Sequence, residues 1–300
     1  MRGMPLKNLQ AMFAAGVNII EHLRSQGVES QRAVEISYDL QAGTYIRDMT
    51  GVYAEYIDKY SSELAGLING LGVPFESLLE AGVGEATTLA NVVKRLEHRP
   101  AAVRGFDVSW SRVKYAKKYY RQVVGDDAGL FLGDLFQMPY ADDSIDIVYT
   151  SHSIEPNGGR EAEALTELCR VARKYLILFE PSYELATPEG KAHIERHGYV
   201  KGLPETARRL GLRIVESRAA RVSARPSNPT GILVIAKHPE MASNPAPELV
   251  CPIGKGRLEQ VSGGYWADSS LYLYPELDGI PCLCPGQGVI ATHYRDFHRD

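Results

Sequence analysis

Between Ser77 and Pro181 the chain alternates two kinds of apolar run, and this alternation limits its architecture more than any other feature. SLLEA, VRGFDVS, LFLGDL, IDIVYTS and YLILFEP are strand-like; TTLANVVKRL, SRVKYAKKYY and EAEALTELCRVAR carry helical spacing. Strands separated by helices need crossover connections, so the pattern predicts a parallel sheet in an α/β fold. Past Pro181, two helices are predicted near 187–196 and 204–210. LRIVESRAARV and GILVIAKH follow, joined by the turn-rich SARPSNPT, and a connection this short suits an antiparallel closing pair.

The flanks read differently. Residues 1–74 are helical in pattern: Phe13, Val17, Ile20 and Leu23 share one helix face, and Ala54, Ile57, Ser61, Leu64 and Leu67 nearly share another. HPEMASNPAPE looks like a linker, giving a domain at 75–238, a linker at 239–250 and a small C-terminal piece at 251–300.

Composition removes several classes of function. At 300 residues, 44% hydrophobic and 23% charged, the chain suits a large core plus an appendage. A net charge of -4 gives no general attraction to phosphate backbones or anionic lipid. No apolar run reaches the roughly 20 residues of a membrane span, and MRGMPLKNLQ lacks a signal-peptide core, so a cytoplasmic location is expected. Four cysteines, at 169, 251, 282 and 284, are too few for a disulfide scaffold.

LEAGVGEATT places a glycine turn between the first strand and its helix, where open α/β folds bind ligands. A dinucleotide fingerprint needs a third glycine where Thr87 stands, and a phosphate loop needs a Gly-Lys-Ser/Thr that is absent. Glu80 and Glu85 flank the turn and would repel a phosphate. The expected ligand therefore lacks phosphate and carries a cation. LEAGVGEAT resembles the first motif of class I S-adenosylmethionine-dependent methyltransferases, an acid-x-Gly-x-Gly-x-Gly pattern matched by Glu80, Gly82 and Gly84, with Ala86 in place of the third glycine. GFDVS, FLGDLFQMPYADDSIDIVYTS and LTELCRVARKYLILFEP resemble the stretches that follow it in that family. The resemblance covers roughly 75–237 and implies a seven-stranded Rossmann-like methyltransferase sheet with S-adenosyl-L-methionine as cofactor. It also implies roles: Asp107 at the ribose, Asp134 and Leu135 at the adenine, and Val108 and Ser151 among the other cofactor-binding residues. A carboxylate suits the ribose because its two oxygens accept from two adjacent hydroxyls.

In that family the acceptor site lies past the fourth strand, here TSHSIEPNGG. His152 is the candidate base, since it titrates near neutral pH, and Glu155 the candidate orienter, clamp or helix cap. Asn157 stands in the same loop. The N-terminal helices are expected as a lid, with Tyr38 on the cofactor, Tyr45 on the acceptor and Gln41 between them. HGYVKG and RPSNPTG place Tyr199 and Asn228, and also His197 and Lys201, as further pocket candidates.

CPIGKGRLEQ and LYLYPELDGIPCL are similar to bacterial zinc-ribbon domains related to the activator subunit of tRNA and protein methyltransferases. Of the four ligand positions only Cys251 keeps a ligand; Gly254, Ala267 and Ser270 hold the others. One thiolate cannot make a four-ligand zinc site, so no metal is expected. A β-rich scaffold held by Trp266, Tyr272, Tyr274, Leu277 and Ile280 is expected instead, docking on the catalytic domain or on a second copy of the chain. The combined expectation is methyl transfer to oxygen or nitrogen of a small polar acceptor, without nucleic acid or membrane partners. The alternatives are an RNA methyltransferase and a non-catalytic cofactor-binding scaffold.

Overall fold

The computed structural model describes residues 6–224 and 228–297. Seven strands form one sheet: β1 (Ser77–Ala81), β2 (Ala102–Asp107), β3 (Gly129–Leu132), β4 (Ile145–Ser151), β5 (Ala172–Pro181), β6 (Arg213–Ala219) and β7 (Thr230–Ala236). Their order is β3-β2-β1-β4-β5-β7-β6, and all neighbours are parallel except β7, which runs antiparallel to both β5 and β6. This is the mixed Rossmann-like sheet expected, closed by an antiparallel pair.

The fully buried central strands follow from the crossover topology, because a parallel sheet must be covered on both faces. Among the described residues five helices precede β1: α1 (Leu6–Ala14), α2 (Ile19–Ser25), α3 (Ser30–Leu40), α4 (Thr44–Thr50) and α5 (Ala54–Asn69). Five more lie between strands: α6 (Thr87–Val93), α7 (Trp110–Val124), α8 (Glu161–Val171), α9 (Pro188–His197) and α10 (Leu203–Arg209). One face of the sheet packs on α5, α6 and α7 through Leu64, Leu89 and Val113. The other packs on α8 and α10 through Leu165, Leu168 and Ala207.

The single helix face expected through Phe13, Val17, Ile20 and Leu23 is broken. Gly16 turns the chain at φ +78°, Asn18 caps α2 by accepting from the Glu21 amide at 3.2 Å, and Val17 is left exposed. Helices α1 to α3 share a small core of their own around Leu9, Ile19, Leu23 and Ala33. Helix α5 belongs to the main core through Ile57, Tyr60, Leu64 and Ile68.

The C-terminal piece is a small antiparallel sheet of β8 (Glu259–Val261), β9 (Gly264–Ala267), β10 (Tyr272–Leu277) and β11 (Ile280–Pro281). β12 (Val289–Ile290) pairs with β10, and α11 (Tyr294–Phe297) follows. Trp266, Tyr274 and Ile280 are buried as expected. Leu277 is not: it lies beside the β10–β11 turn with its side chain exposed, and its carbonyl accepts from Trp110 Nε1 at 3.3 Å. The connecting stretch is fastened to the sheet, with the Asn244 amide on both oxygens of buried Asp146 at 3.1 Å and the Val250 amide on Pro139 O at 2.9 Å. Among the described residues no helix is long and apolar enough to cross a membrane.

Candidate functional site

β1 carries Glu80 to the carboxyl edge of the sheet, where Gly82 (φ +77°) and Gly84 (φ +53°) turn the chain. A Cβ at Gly82 would collide with the side chain of Ser153, and one at Gly84 would press on the Arg112 guanidinium. These glycines are thus required by protein neighbours as well as by the turn. The turn spends its amides internally: Val83 N donates to Phe106 O (2.7 Å), Gly84 N to Asp107 Oδ2 (3.0 Å) and Ala86 N to Val83 O (2.8 Å). An anion nest needs such amides free.

Those amides carry the argument against phosphate more directly than charge does, because both flanking acids are engaged by the protein. Glu85 accepts from the Gly43 and Ile46 amides at 2.9 and 2.8 Å, fastening the start of α4 over the turn. Glu80 is 2% exposed and accepts from Tyr149 Oη at 2.8 Å; burial pushes its pKa up to about 8 despite that bond.

Asp107, at the end of β2, accepts from Gly84 N and, through its other oxygen, from Ser109 N at 2.9 Å. Arg112 lies 3.9 Å from Asp107 and only 7% exposed, its guanidinium 5.1 Å from the Tyr38 ring centre and 4.6 Å from that of Tyr45. Arg112 Nε has no partner among the described residues. The N-terminal helices are fastened a second time by Asp39, which accepts from the Ser109 and Ser111 hydroxyls at 2.7 and 3.0 Å. Burial, then Tyr45, raises the Tyr38 phenol far above its usual pKa, and Arg112 works against them.

At the other end, His152 sits in the left-handed region at φ +54°. Its Nδ1 meets Glu155 Oε2 at 3.1 Å and its Nε2 meets Thr230 Oγ1 at 2.9 Å. Burial pulls its pKa down, but the bond to Glu155 and the charges of Glu155 and Glu180 outweigh this and leave it raised. Glu180, fully buried at the end of β5, accepts from the amides of Ser153, Ile154 and Glu155 at 3.0 to 3.2 Å. It holds the loop in shape, and its pKa rises to about 7, chiefly by burial. Glu155 Oε1 accepts from Asn228 Nδ2 at 3.4 Å.

One cleft of about 1330 Å³ joins the two ends. Tyr38, Tyr45, Glu80, Gly82, Gly84, Asp107, Val108, Asp134, Leu135, Ser151, His152, Glu155, Asn157, Tyr199 and Asn228 all line it, with Gln41. Ser151 Oγ is bonded to Tyr60 Oη (2.9 Å), and the Asn157 amide turns back to Ile154 O (3.3 Å). His197 stacks on Tyr199, with ring centres 5.3 Å apart, and Lys201 lies over the Tyr183 ring; neither lines the cleft. Of RPSNPTG, residues 225–227 lie outside the described residues.

Arg112, Glu180 and Thr230 emerge only in three dimensions. Glu180 had one signal, an acid closing the apolar run LILFEP; Arg112 and Thr230 had none. Residues 284–287 also reach the cleft. In the C-terminal piece, Cys251 Sγ lies 3.3 Å from Ser270 Oγ and 3.7 Å from Tyr274 Oη. Among the described residues no group of three or more His, Cys, Asp or Glu side chains is placed to hold a metal ion.

Residues 78–175 match the family model described as a methyltransferase domain. This stretch is a methyltransferase domain. S-adenosylmethionine is the cofactor of this class of domain. No curated protein matches the chain. Among solved structures, the magnesium protoporphyrin IX methyltransferase of Synechocystis PCC 6803 superposes with a TM-score of 0.49 at 15% identity, covering 67% of this chain and 98% of its own. The geranyl diphosphate C-methyltransferase of Streptomyces coelicolor A3(2) gives 0.45 at 13% identity, covering 59% and 78%.

The cleft's chemistry fits the cofactor. It offers carboxylates for hydroxyls and an ammonium, no free amide nest at Val83, Gly84 or Ala86 for a phosphate, and an unpartnered buried donor on Arg112.

Proposed function

We propose that the chain transfers a methyl group from S-adenosylmethionine to an oxygen or nitrogen of a small polar acceptor. Glu80 would hold the ammonium, Asp107 the ribose hydroxyls, and Asp134 with Leu135 the adenine. The cofactor, when bound, supplies an electrophilic methyl group. The chain's own residues do the rest by positioning and by accepting a proton.

The observation that carries this reading is the continuous cleft, which links the acids of the domain to the Glu155–His152 pair. Both nitrogens of His152 are bonded to protein groups, so neither is open to an incoming proton, and the bond to Glu155 raises its pKa against the effect of burial. The proton acceptor turned to the cleft is therefore Glu155, with His152 and Asn228 as its positioning residues. A proton shed by an acceptor hydroxyl or ammonium would pass to the Glu155 carboxylate, while Tyr45 and Tyr199 would line the space for the acceptor.

Calorimetry with S-adenosylhomocysteine tests the cofactor half, with micromolar affinity expected. Transfer of labelled methyl across a panel of small alcohols and amines tests the acceptor half. Absence of any cofactor binding would overturn the reading.

A further inference from the structure

We propose that the C-terminal domain completes the cofactor site, with residues 284–287 forming the wall that closes on the purine of the nucleoside. The proposal rests on the cofactor reading above and extends it outside the methyltransferase domain.

Topology supplies the first argument. Cys282 pairs with Leu132 of edge strand β3 in the parallel sense, and Leu283 N donates to Leu132 O at 2.9 Å. A segment parallel to β3 leaves the sheet at the same edge as β1 and β2, the carboxyl edge where such folds bind ligands. The next residue, Cys284, therefore emerges beside Asp107 and Asp134. Its surroundings agree: after burial, the charge of Asp134 is the largest influence raising the Cys284 thiol, with Asp107 among the others.

The segment is also held firmly. The β10–β11 turn is pinned to α7, the helix that begins just after Asp107, by Lys117 Nζ on Gly279 O at 2.6 Å, by a Lys114–Asp278 ion pair and by Trp110 on Leu277 O. Residues 284–287 then close on themselves, with Gln287 N donating to Cys284 O at 2.9 Å and Cys284 N to Gln287 Oε1 at 3.3 Å. A purine needs a flat, mostly apolar slot with few polar groups. Leu135 and Phe136 line the cleft from the strand side, and Pro285 and Gly286 line it from the domain side.

The test uses the full chain. A Cβ on Gly286 meets no atom within 4 Å, so Gly286→Trp adds bulk without a clash at its root. Calorimetry with S-adenosylhomocysteine and with adenosine should show both affinities lowered at least about tenfold in Gly286→Trp and in Cys284→Phe. Glu259→Ala, on the outer strand β8, should bind as the wild type does. Hydrogen exchange on the wild type needs no variant to fold: S-adenosylhomocysteine should slow the amides of 284–288. Folded variants that bind within twofold of wild type, or unchanged exchange in that peptide, would overturn the proposal. A wild type that binds neither ligand would instead overturn the cofactor reading beneath it.

Discussion

The two ends of the cleft are built on different principles. At the cofactor end two of the three acids are answered by main chain: Asp107 by the amides of Gly84 and Ser109, Glu85 by those of Gly43 and Ile46, while Glu80 takes the hydroxyl of Tyr149. At the acceptor end main-chain amides on Glu180 shape the loop, but the two groups facing the cleft are held by side chains across the fold: His152 reaches Thr230 and Glu155 reaches Asn228, pairs 78 and 73 residues apart. A main-chain partner exists whatever the local residue type, whereas a side-chain partner must be the right residue on a distant element. The cofactor end should therefore withstand changes in the acceptor end, and the acceptor end should be the sensitive one.

The sharpest test of that independence is Glu155→Gln. Removing the proposed proton acceptor should lower turnover by about 10² to 10⁴, while calorimetry should show S-adenosylhomocysteine binding within about twofold of wild type. A parallel loss of cofactor affinity would mean that the two ends are one unit. His152→Ala should lower turnover less, and should shift its pH profile because the partner holding Glu155 is gone.

Asp107→Asn probes the other end. Both carboxylate oxygens accept from amides, so the amide substituent must point its NH2 at one of two donors. Leaving that donor unpaired costs about 1–3 kcal/mol, expected as a ten- to hundredfold loss of cofactor affinity together with a lower melting temperature. An unchanged melting temperature would show that Asp107 serves the ligand and not the turn.

This difference in construction also explains what was legible in the sequence. Strands β1 to β7 follow from period and the turn at Glu80, Gly82 and Gly84 from its residues, both local quantities, whereas Asp107 and Asp134 were legible only through the resemblance to the methyltransferase motifs. The break at Gly16 and Asn18 was hidden because Phe13, Val17, Ile20 and Leu23 keep helical spacing across it. Arg112 was invisible for another reason. It lies in the first turn of a helix that reads as solvated, and only the docked N-terminal segment, bringing Tyr38 and Tyr45 over it, buries the charge. Glu85 was noticed but given the wrong task, since its partners come from the N-terminal segment 39 and 42 residues away.

Glu80 allows a titration of the cofactor end alone. Its pKa of about 8 in the folded chain lies well above the ordinary carboxylate range, so between the two the folded state keeps a proton that the unfolded chain releases. Its contribution to stability therefore falls as pH rises through that window. A bound ammonium favours the ionised form, so cofactor affinity should rise from pH 6 to pH 8, by no more than about tenfold per unit. Binding should release protons, seen as a dependence of the calorimetric heat on buffer ionisation enthalpy. In Glu80→Gln, whose amide oxygen can still accept from Tyr149, the slope should vanish while any pH response of turnover set by Glu155 and His152 survives.

The smallest effect is expected at Ala86, the one non-glycine residue of the turn with positive φ, at +58°. A left-handed alanine costs roughly 1 kcal/mol, which Ala86→Gly would relieve. Two terms oppose the gain: glycine adds unfolded-state entropy of about 0.4–1 kcal/mol, and the methyl group lost is fully buried. The net change in stability should therefore stay within about 1 kcal/mol, a shift of a few degrees at most for a chain of this size. Cofactor affinity should be unchanged, because Ala86 N keeps its bond to Val83 O whatever the side chain. A marked gain in affinity would show instead that the turn is strained against its ligand and that the main chain of the cofactor end is less fixed than its hydrogen bonds suggest.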